Sequence, residues 1–335
     1  MRPTAAVRLC VVFLAALLAS GAAVIGGATP AAADPEGGSQ TLREQLDAAS
    51  RGYLDAKAKL DSSRKRQQQL SASAKTVEAE LTVRGAAVAE LAEAAYRVGP
   101  LASMSSLLSS GSPANLMDRM AILEAIATTE DKQVRELKDT RDSVAKAKAA
   151  VDAEILEQQK QLAEMTKRKQ QAERALRQAG AGQVASGPSG SGSRTATPAP
   201  RNSDGTWPRE SCSLNDPTTS GCITPRMLHA LNQAKAAGFT RYVSCYRSGG
   251  SGEHPKGRAC DFAAQKGGFG GVATGGDRTY GNNLAAYFLA NANRLGVLYV
   301  IWFRKIWLPG SGWRTYNGGG DPASDHTNHV HLSVY

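Results

Sequence analysis

His329-Val330-His331-Leu332-Ser333-Val334 alternates polar and apolar residues at every step. A period of two is that of a β-strand, whose side chains point to opposite faces in turn. His329, His331 and Ser333 therefore share one face, and Val330, Leu332 and Val334 the other. Histidine is scarce, with five in 335 residues. Four of them fall in two places: His326, His329 and His331 on or just before this strand, and His254 in Glu253-His254-Pro255-Lys256-Gly257-Arg258-Ala259-Cys260-Asp261. Imidazole nitrogen and carboxylate oxygen suit zinc when one coordination position stays open for water. Two imidazoles on one strand face supply half of such a site. The segment from His254 to Asp261 is the candidate for the other half. A lone histidine is more often structural than a ligand; the clustering is what argues for Zn2+.

Around these segments the pattern is α+β. Thr224 and Pro225 read as a cap and first position of a helix, with Met227, Leu228, Leu231 and Ala234 as its apolar face. Residues 241–246 and 259–263 read as strands, 282–295 as a helix stopped by Gly296, 297–302 as a buried strand, and 305–307 as its hairpin mate. The domain is placed at 207–335. That is about 130 residues, enough for one core.

The rest of the chain differs in kind. Leu42, Leu46, Ala49, Tyr53, Ala56 and Leu60 begin a heptad seam that runs to Ala95. Ser63, Gln67 and Arg84 interrupt it, and Gly52 and Gly85 each weaken the helix by about 1 kcal/mol relative to Ala. Gly99-Pro100 ends the arm. Leu101, Met104, Leu107 and Leu108 form an apolar knuckle, and Ser109-Ser110-Gly111-Ser112-Pro113 a turn. A second seam follows, from Leu116 through Val144 and Ile155 to Leu176. Two arms of similar length predict an antiparallel coiled-coil hairpin over 41–179, each arm about 80 Å long at 1.5 Å per residue. Dimerisation between chains is the alternative. Residues 180–206 are rich in Gly, Ser, Pro, Ala and Thr, the composition of a flexible linker.

Arg2 and Arg8, the apolar run from Leu9 to Ile25, and Thr29-Pro30-Ala31-Ala32-Ala33 read as a secretory signal peptide over 1–33. A retained membrane anchor is the alternative. Cys10 would leave with the signal. The remaining four cysteines, Cys212, Cys222, Cys245 and Cys260, are an even set in an exported chain and imply two disulfides. Three pairings are open. Proximity favours Cys212–Cys222 and Cys245–Cys260, and a metal-ligand role for Cys260 is the competing reading. The net charge of +10 suits an acidic polymer or surface. Export argues against nucleic acid as that polymer.

Tyr246-Arg247-Ser248, the run from His254 to Phe262 and His329-Val330-His331 together resemble the zinc D-Ala-D-Ala carboxypeptidase and lysostaphin-like peptidases, whose fold the hedgehog signalling domain shares. The resemblance spans about Trp207 to Tyr335 and is strongest to a secreted actinobacterial branch with a coiled-coil front. It implies a zinc peptidase-like α+β domain with an antiparallel sheet, cutting peptidoglycan stem peptides in the cell wall. It implies His254, Asp261 and His331 as zinc ligands, His329 as general base or transition-state stabiliser, and Arg247 as the group that holds a substrate carboxylate or oxyanion. Asp325 and His326 would orient ligands from behind. Gly252 stands where the family has Ser, and Asn328 where one branch has a basic Glu. Both departures keep a non-catalytic, zinc-stabilised wall-binding or scaffolding module in play. A third reading is a coiled-coil adaptor. Tyr96-Arg97-Val98-Gly99, Leu107 to Pro113, Leu116, Arg119 and Ile122 resemble the hairpins of secreted cell-wall hydrolases. Those hairpins hold the hydrolase inactive until a membrane division complex binds, which implies such a partner here.

Overall fold

The structure, a computed structural model, describes residues 39–99 and 104–335 apart from Ser106, Ser110 and Ser193. The segment read as a signal peptide, and Leu101 of the knuckle, lie outside the described residues. No described helix is long and apolar enough to cross a membrane.

Two long helices form the hairpin, α1 (Gln40–Val98) and α2 (Pro113–Gln178). Each starts as its sequence suggests: the hydroxyls of Ser39 and Ser112 accept from the backbone N–H of Leu42 and Asn115. The arms run antiparallel, with Arg66 on Glu154 at 2.8 Å, Lys148 on Glu78 at 2.9 Å, and Gln158 donating to Gln67 at 2.8 Å. The buried apolar seam is confined to one end. In α1 no residue beyond Ser63 is buried, and in α2 none before Thr140. The interruptions at Ser63, Gln67 and Arg84 thus mark where packing gives way to surface ion pairs, each worth only about 0–1 kcal/mol. Met104 and Leu108 are exposed, as are Tyr96, Met117, Met120 and Ile122 near that end.

The C-terminal region carries a small antiparallel pair, β1 (Leu214–Asn215) with β2 (Cys222–Ile223), and a six-stranded antiparallel sheet. The strands are β3 (Val243–Ser244), β4 (Ala259–Ala263), β5 (Val297–Ile301), β6 (Lys305–Leu308), β7 (Gly312–Thr315) and β8 (His329–Val334). Their order is β3-β4-β8-β5-β6-β7. Three helices accompany them: α3 (Pro225–Ala236), α4 (Gly275–Ala290) and the single turn α5 (Ala292–Leu295). The architecture is a helical hairpin followed by an α+β domain. The sequence places β4, β8 and β6 closely. It overextends β3, starts α4 late, and misses β1, β2 and β7, which are only two to four residues long and carry no alternation of their own.

The two faces of the sheet serve different partners. Cys260, Phe262, Val300, Val330, Leu332 and Val334 join α3 and α4 in one core. The opposite face, with Tyr299, Ile301, Ile306, Leu308 and Tyr316, packs on Leu42, Leu46, Ala49, Ala175 and Leu176 of the hairpin base. A bulge in β5 between Val297 and Tyr299 brings Leu298 to this second core as well. Two ion pairs and a hydrogen bond frame the seam: Arg51 with Glu253 at 2.9 Å, Arg314 with Glu173 at 2.7 Å, and Tyr335 Oη donating to Asp55 at 2.8 Å.

Residues 180–206 behave differently from the flexible linker their composition suggests. The segment is an ordered strap. Gly182 N–H donates to Thr315 O at 3.1 Å and Ala185 N–H to Trp313 O at 3.1 Å, extending the sheet beyond β7. Ala196 N–H donates to Asn291 Oδ1 at 2.8 Å and Ala199 N–H to Arg294 O at 2.8 Å. Small residues are what permit this: a Cβ on Gly190 would sit 2.4 Å from the Asn282 carbonyl oxygen. The composition that reads as floppy is the composition that lets a backbone lie flat on a helix.

Hydrogen exchange should divide the hairpin. Amides of 42–60 and 165–176 are expected to exchange far more slowly than those of 66–96 and 116–138, because only the base is clamped by buried apolar contacts. Uniform protection along both arms would refute this. Leu176→Ala, at a fully buried position, should lower unfolding free energy by about 2–5 kcal/mol in a denaturant titration.

Candidate metal centre

β4 and β8 build the centre. Their register sets Asp261 opposite His331, Ala263 opposite His329 and Ala259 opposite Ser333. Alternation puts the three polar residues of β8 and Asp261 on one face, the face that the hairpin base covers. His254 arrives from the single 3-10 turn His254–Lys256 that precedes β4. Gly257 reverses the chain in the left-handed region at φ 67°. The Cys245–Cys260 disulfide ties β4 to the end of β3, and Cys212–Cys222 ties β2 to the segment before it. These are the pairs that chain proximity favours. Cys260 is thereby engaged in a disulfide rather than in ligation.

His254, Asp261 and His331 form a buried group whose ligating atoms all lie within 4.8 Å of one another. His254 Nε2 is 3.2 Å and His331 Nδ1 2.9 Å from the same oxygen, Asp261 Oδ1. The two ring nitrogens are 3.3 Å apart. The tautomer of His254 follows from its other nitrogen. Nδ1 faces the Cys245 carbonyl, which only accepts, so Nδ1 carries the proton and a neutral ring turns a bare Nε2 toward the carboxylate. Acceptor then faces acceptor, a contact that a cation resolves. His331 Nε2 is 2.8 Å from Ser333 Oγ, leaving Nδ1 for the centre. The donor set, two imidazoles and one carboxylate, is that of an open zinc site.

Three further imidazole and cationic groups adjoin the centre. His329 Nε2 is 3.4 Å from Asp261 Oδ1 and has no hydrogen-bond partner. Its Nδ1 donates to Asn328 Oδ1 at 2.7 Å. His326 is fully buried with positive φ, 52°, and its ring lies 4.7 Å from that of His329 and 5.6 Å from that of His331. Its Nδ1 donates to Ser324 O at 3.0 Å and its Nε2 is unpartnered. Arg247 Nη1 is 3.4 Å from Asp261 Oδ2, and its side chain is 36% exposed. Burial pushes the Asp261 carboxyl up, but the imidazoles around it, His254 and His329 first and then His331, outweigh that and hold its pKa well below the usual carboxylate range. Burial drives His329 down to about 4 against the pull of Asp261. It drives His326 well down too, with His329 and His331 adding to the effect. Both rings are therefore neutral at neutral pH.

Six of the seven expected residues meet here. Asp325 does not: its Oδ2 takes Arg304 Nε at 2.8 Å, fastening the β5–β6 turn. Its short side chain is spent on the strained pair Phe303 and Arg304, both with positive φ, rather than on a ligand. Three neighbours escaped the sequence reading. Tyr299 stacks on His331 with ring centroids 5.5 Å apart and planes 8° from parallel. It reads as just another residue of an apolar strand. Ser333 shares the alternating polar face, but a serine there carries no signal of its contact with His331. Glu253, almost fully buried, gathers Arg51, Lys256 and Arg258 at 2.9, 2.9 and 2.6 Å. It fixes the turn that carries His254.

A family model described as VldE, C-terminal domain, matches residues 219–327. That span holds Arg247, His254, Asp261 and His326 and stops two residues short of His329. No curated protein and no solved structure matches the chain.

Proposed function

We propose that the domain is a secreted, zinc-dependent peptidase acting on peptidoglycan stem peptides or crosslinks, with the hairpin base as its regulator. The observation that carries this reading is the convergence of His254 Nε2, Asp261 and His331 Nδ1 beside an unpartnered His329 Nε2. Bound there, zinc would supply Lewis-acid polarisation of a scissile carbonyl and activation of water. His329, neutral and bare at Nε2, would accept the proton released by attacking water. Arg247, partly exposed at the margin, would hold the substrate carboxylate or the developing oxyanion. Two disulfides suit an oxidising compartment outside the cytosol, and the net charge of +10 suits an anionic wall. A membrane division complex that engages the hairpin would be the natural releasing partner.

Burial supports the regulatory half of the proposal. His254, His326, His329 and His331 are at most 2% exposed. Leu46 and Arg43 of α1 lie against Tyr299, the residue stacked on His331. A peptide reaches the centre only if this base shifts. The same burial is also what a structural zinc site would show, so the non-catalytic, wall-binding reading is the rival.

Elemental analysis of the full chain should give about one zinc per molecule, lost on His331→Ala, and chelation should lower Tm by several degrees. Incubation with sacculi and crosslinked muropeptides, followed by mass spectrometry, should show new peptide-bond cleavage that chelator abolishes. Zinc bound with no products, even from released variants, would favour the binding module. Leu46→Ala removes about 2–5 kcal/mol of packing at the docked base. It should raise hydrolysis at least about tenfold, since 1.4 kcal/mol is already a factor of ten. An unchanged rate would remove the hairpin from the regulatory role.

A further inference from the structure

Asn328 stands where a basic carboxylate would stand in a Glu-x-x-His branch, and an amide cannot take a proton from water. The geometry gives it another task. Its side chain is nearly buried, at 4% exposure, and bridges two groups. Nδ2 donates to the Gly270 carbonyl at 2.8 Å, and Oδ1 lies 2.7 Å from His329 Nδ1. The backbone carbonyl of Asn328 accepts from Ala264 N–H at 2.9 Å, so the residue is held on three sides. The orientation of the amide is fixed by chemistry. The Gly270 carbonyl can only accept, so the NH2 end must face it. The oxygen end then faces His329 Nδ1, which must supply the hydrogen. A neutral His329 is left with its lone pair on Nε2, the atom 3.4 Å from Asp261.

We propose that Asn328 is a positioning residue: it locks His329 in the Nδ1–H tautomer, with Nε2 free to accept a proton at the metal centre. This rests on the hydrolytic reading for its catalytic consequence, but not for the tautomer itself. The same amide joins His329 to the glycine-rich segment 265–272. Phe269 in that segment sits edge-on to the His329 ring at 5.5 Å and is 42% exposed. Asn328 thus places the ring from two directions: through its own oxygen, and through the loop that supplies the Phe269 contact. A His329 ring released from it could turn over and present an N–H to Asp261, which would satisfy the carboxylate and leave no proton acceptor there.

The test is nitrogen NMR on the zinc-loaded full chain with 15N-labelled histidine. Five histidines give few signals, and His329→Gln identifies the relevant ring. Ring nitrogen shifts distinguish Nδ1–H, Nε2–H and doubly protonated forms. The wild type should show His329 as Nδ1–H. Asn328→Ala should convert much of it to Nε2–H, while Asn328→Asp, which keeps the acceptor, should retain Nδ1–H even though its bond to Gly270 is lost. Zinc content should stay at the wild-type level in both. Hydrolysis should fall about 10–100-fold in Asn328→Ala and be rescued to within about tenfold of wild type in Asn328→Asp. A wild-type His329 protonated at Nε2, or a tautomer unmoved in Asn328→Ala, would overturn the proposal. So would Asn328→Asp behaving like Asn328→Ala. Absence of hydrolysis in the wild type would defeat the peptidase reading alone, since the spectra still decide the tautomer.

Discussion

The Asp261 carboxylate is the constraint the domain is built to satisfy. It lies on β4, the second strand of the sheet, 3% exposed and paired on both sides. An ion moved from water to such a place costs several kcal/mol unless it is compensated. Every neighbour on its face can supply compensation: His254, His329 and His331 within 3.4 Å of one oxygen, and Arg247 at 3.4 Å from the other. Yet the hydrogen bonds behind the rings spend their protons elsewhere. His254 gives its proton to the Cys245 carbonyl and His329 gives its proton to Asn328. What these two rings turn toward the carboxylate is a pair of lone pairs, beside His331 Nδ1 at 2.9 Å and one guanidinium. A metal ion held by His254, Asp261 and His331 would reconcile this arrangement with burial.

That constraint explains why the disulfide and the charge hub sit where they do. The Cys245 carbonyl sets the tautomer of His254, so β3 must be held at a fixed height against β4, and the Cys245–Cys260 bond does so one residue before Asp261. Glu253 adjoins His254 and is compensated by Lys256 and Arg258 from its own turn and by Arg51 from α1. The turn that carries a ligand is thus partly held by the hairpin. Burial favours neutral Glu253, but the three cations prevail and keep its pKa below the ordinary value. Asp47, one helical turn before Arg51, is shifted up by burial and by Glu253. The two carboxylates compete for the same cations, and Glu253, with three partners, holds them.

The sequence exposes the parts of this design that follow from periodicity. Alternation in 329–334 gives the strand and puts both imidazoles on one face. Heptad spacing gives both helical arms, and Thr224-Pro225 gives the start of α3. It hides the parts that depend on partners distant along the chain. Residues 180–206 read as a flexible linker because glycine and serine carry no burial signal, although their smallness is what lets the strap lie against α4. Asp325 is a ligand-orienting acid only by the resemblance. Arg304, which claims it, becomes a neighbour only when the β5–β6 turn closes. Asn328 looks like the loss of a base because spacing alone compares it with Glu. Its function depends on Gly270, 58 residues away, whose carbonyl fixes which end of the amide faces His329.

The hairpin and the metal centre then belong to one argument. A strand with a polar face of two histidines and a serine cannot border an ordinary apolar core without loss, and α3 and α4 take only its other face. The polar face is instead roofed at its edge by Tyr299, whose ring lies flat on His331 and whose outer side meets Leu46. The aromatic ring is an interface between two chemistries, the polar centre on one side and an aliphatic helix on the other. Because the apolar seam of the hairpin is concentrated at this base, the energy that closes the arms and the energy that covers the centre come from the same side chains. Leu42, Leu46 and Leu176 serve both. Any partner that splays the arms would therefore weaken the cover over the centre in the same movement, with no further coupling element required.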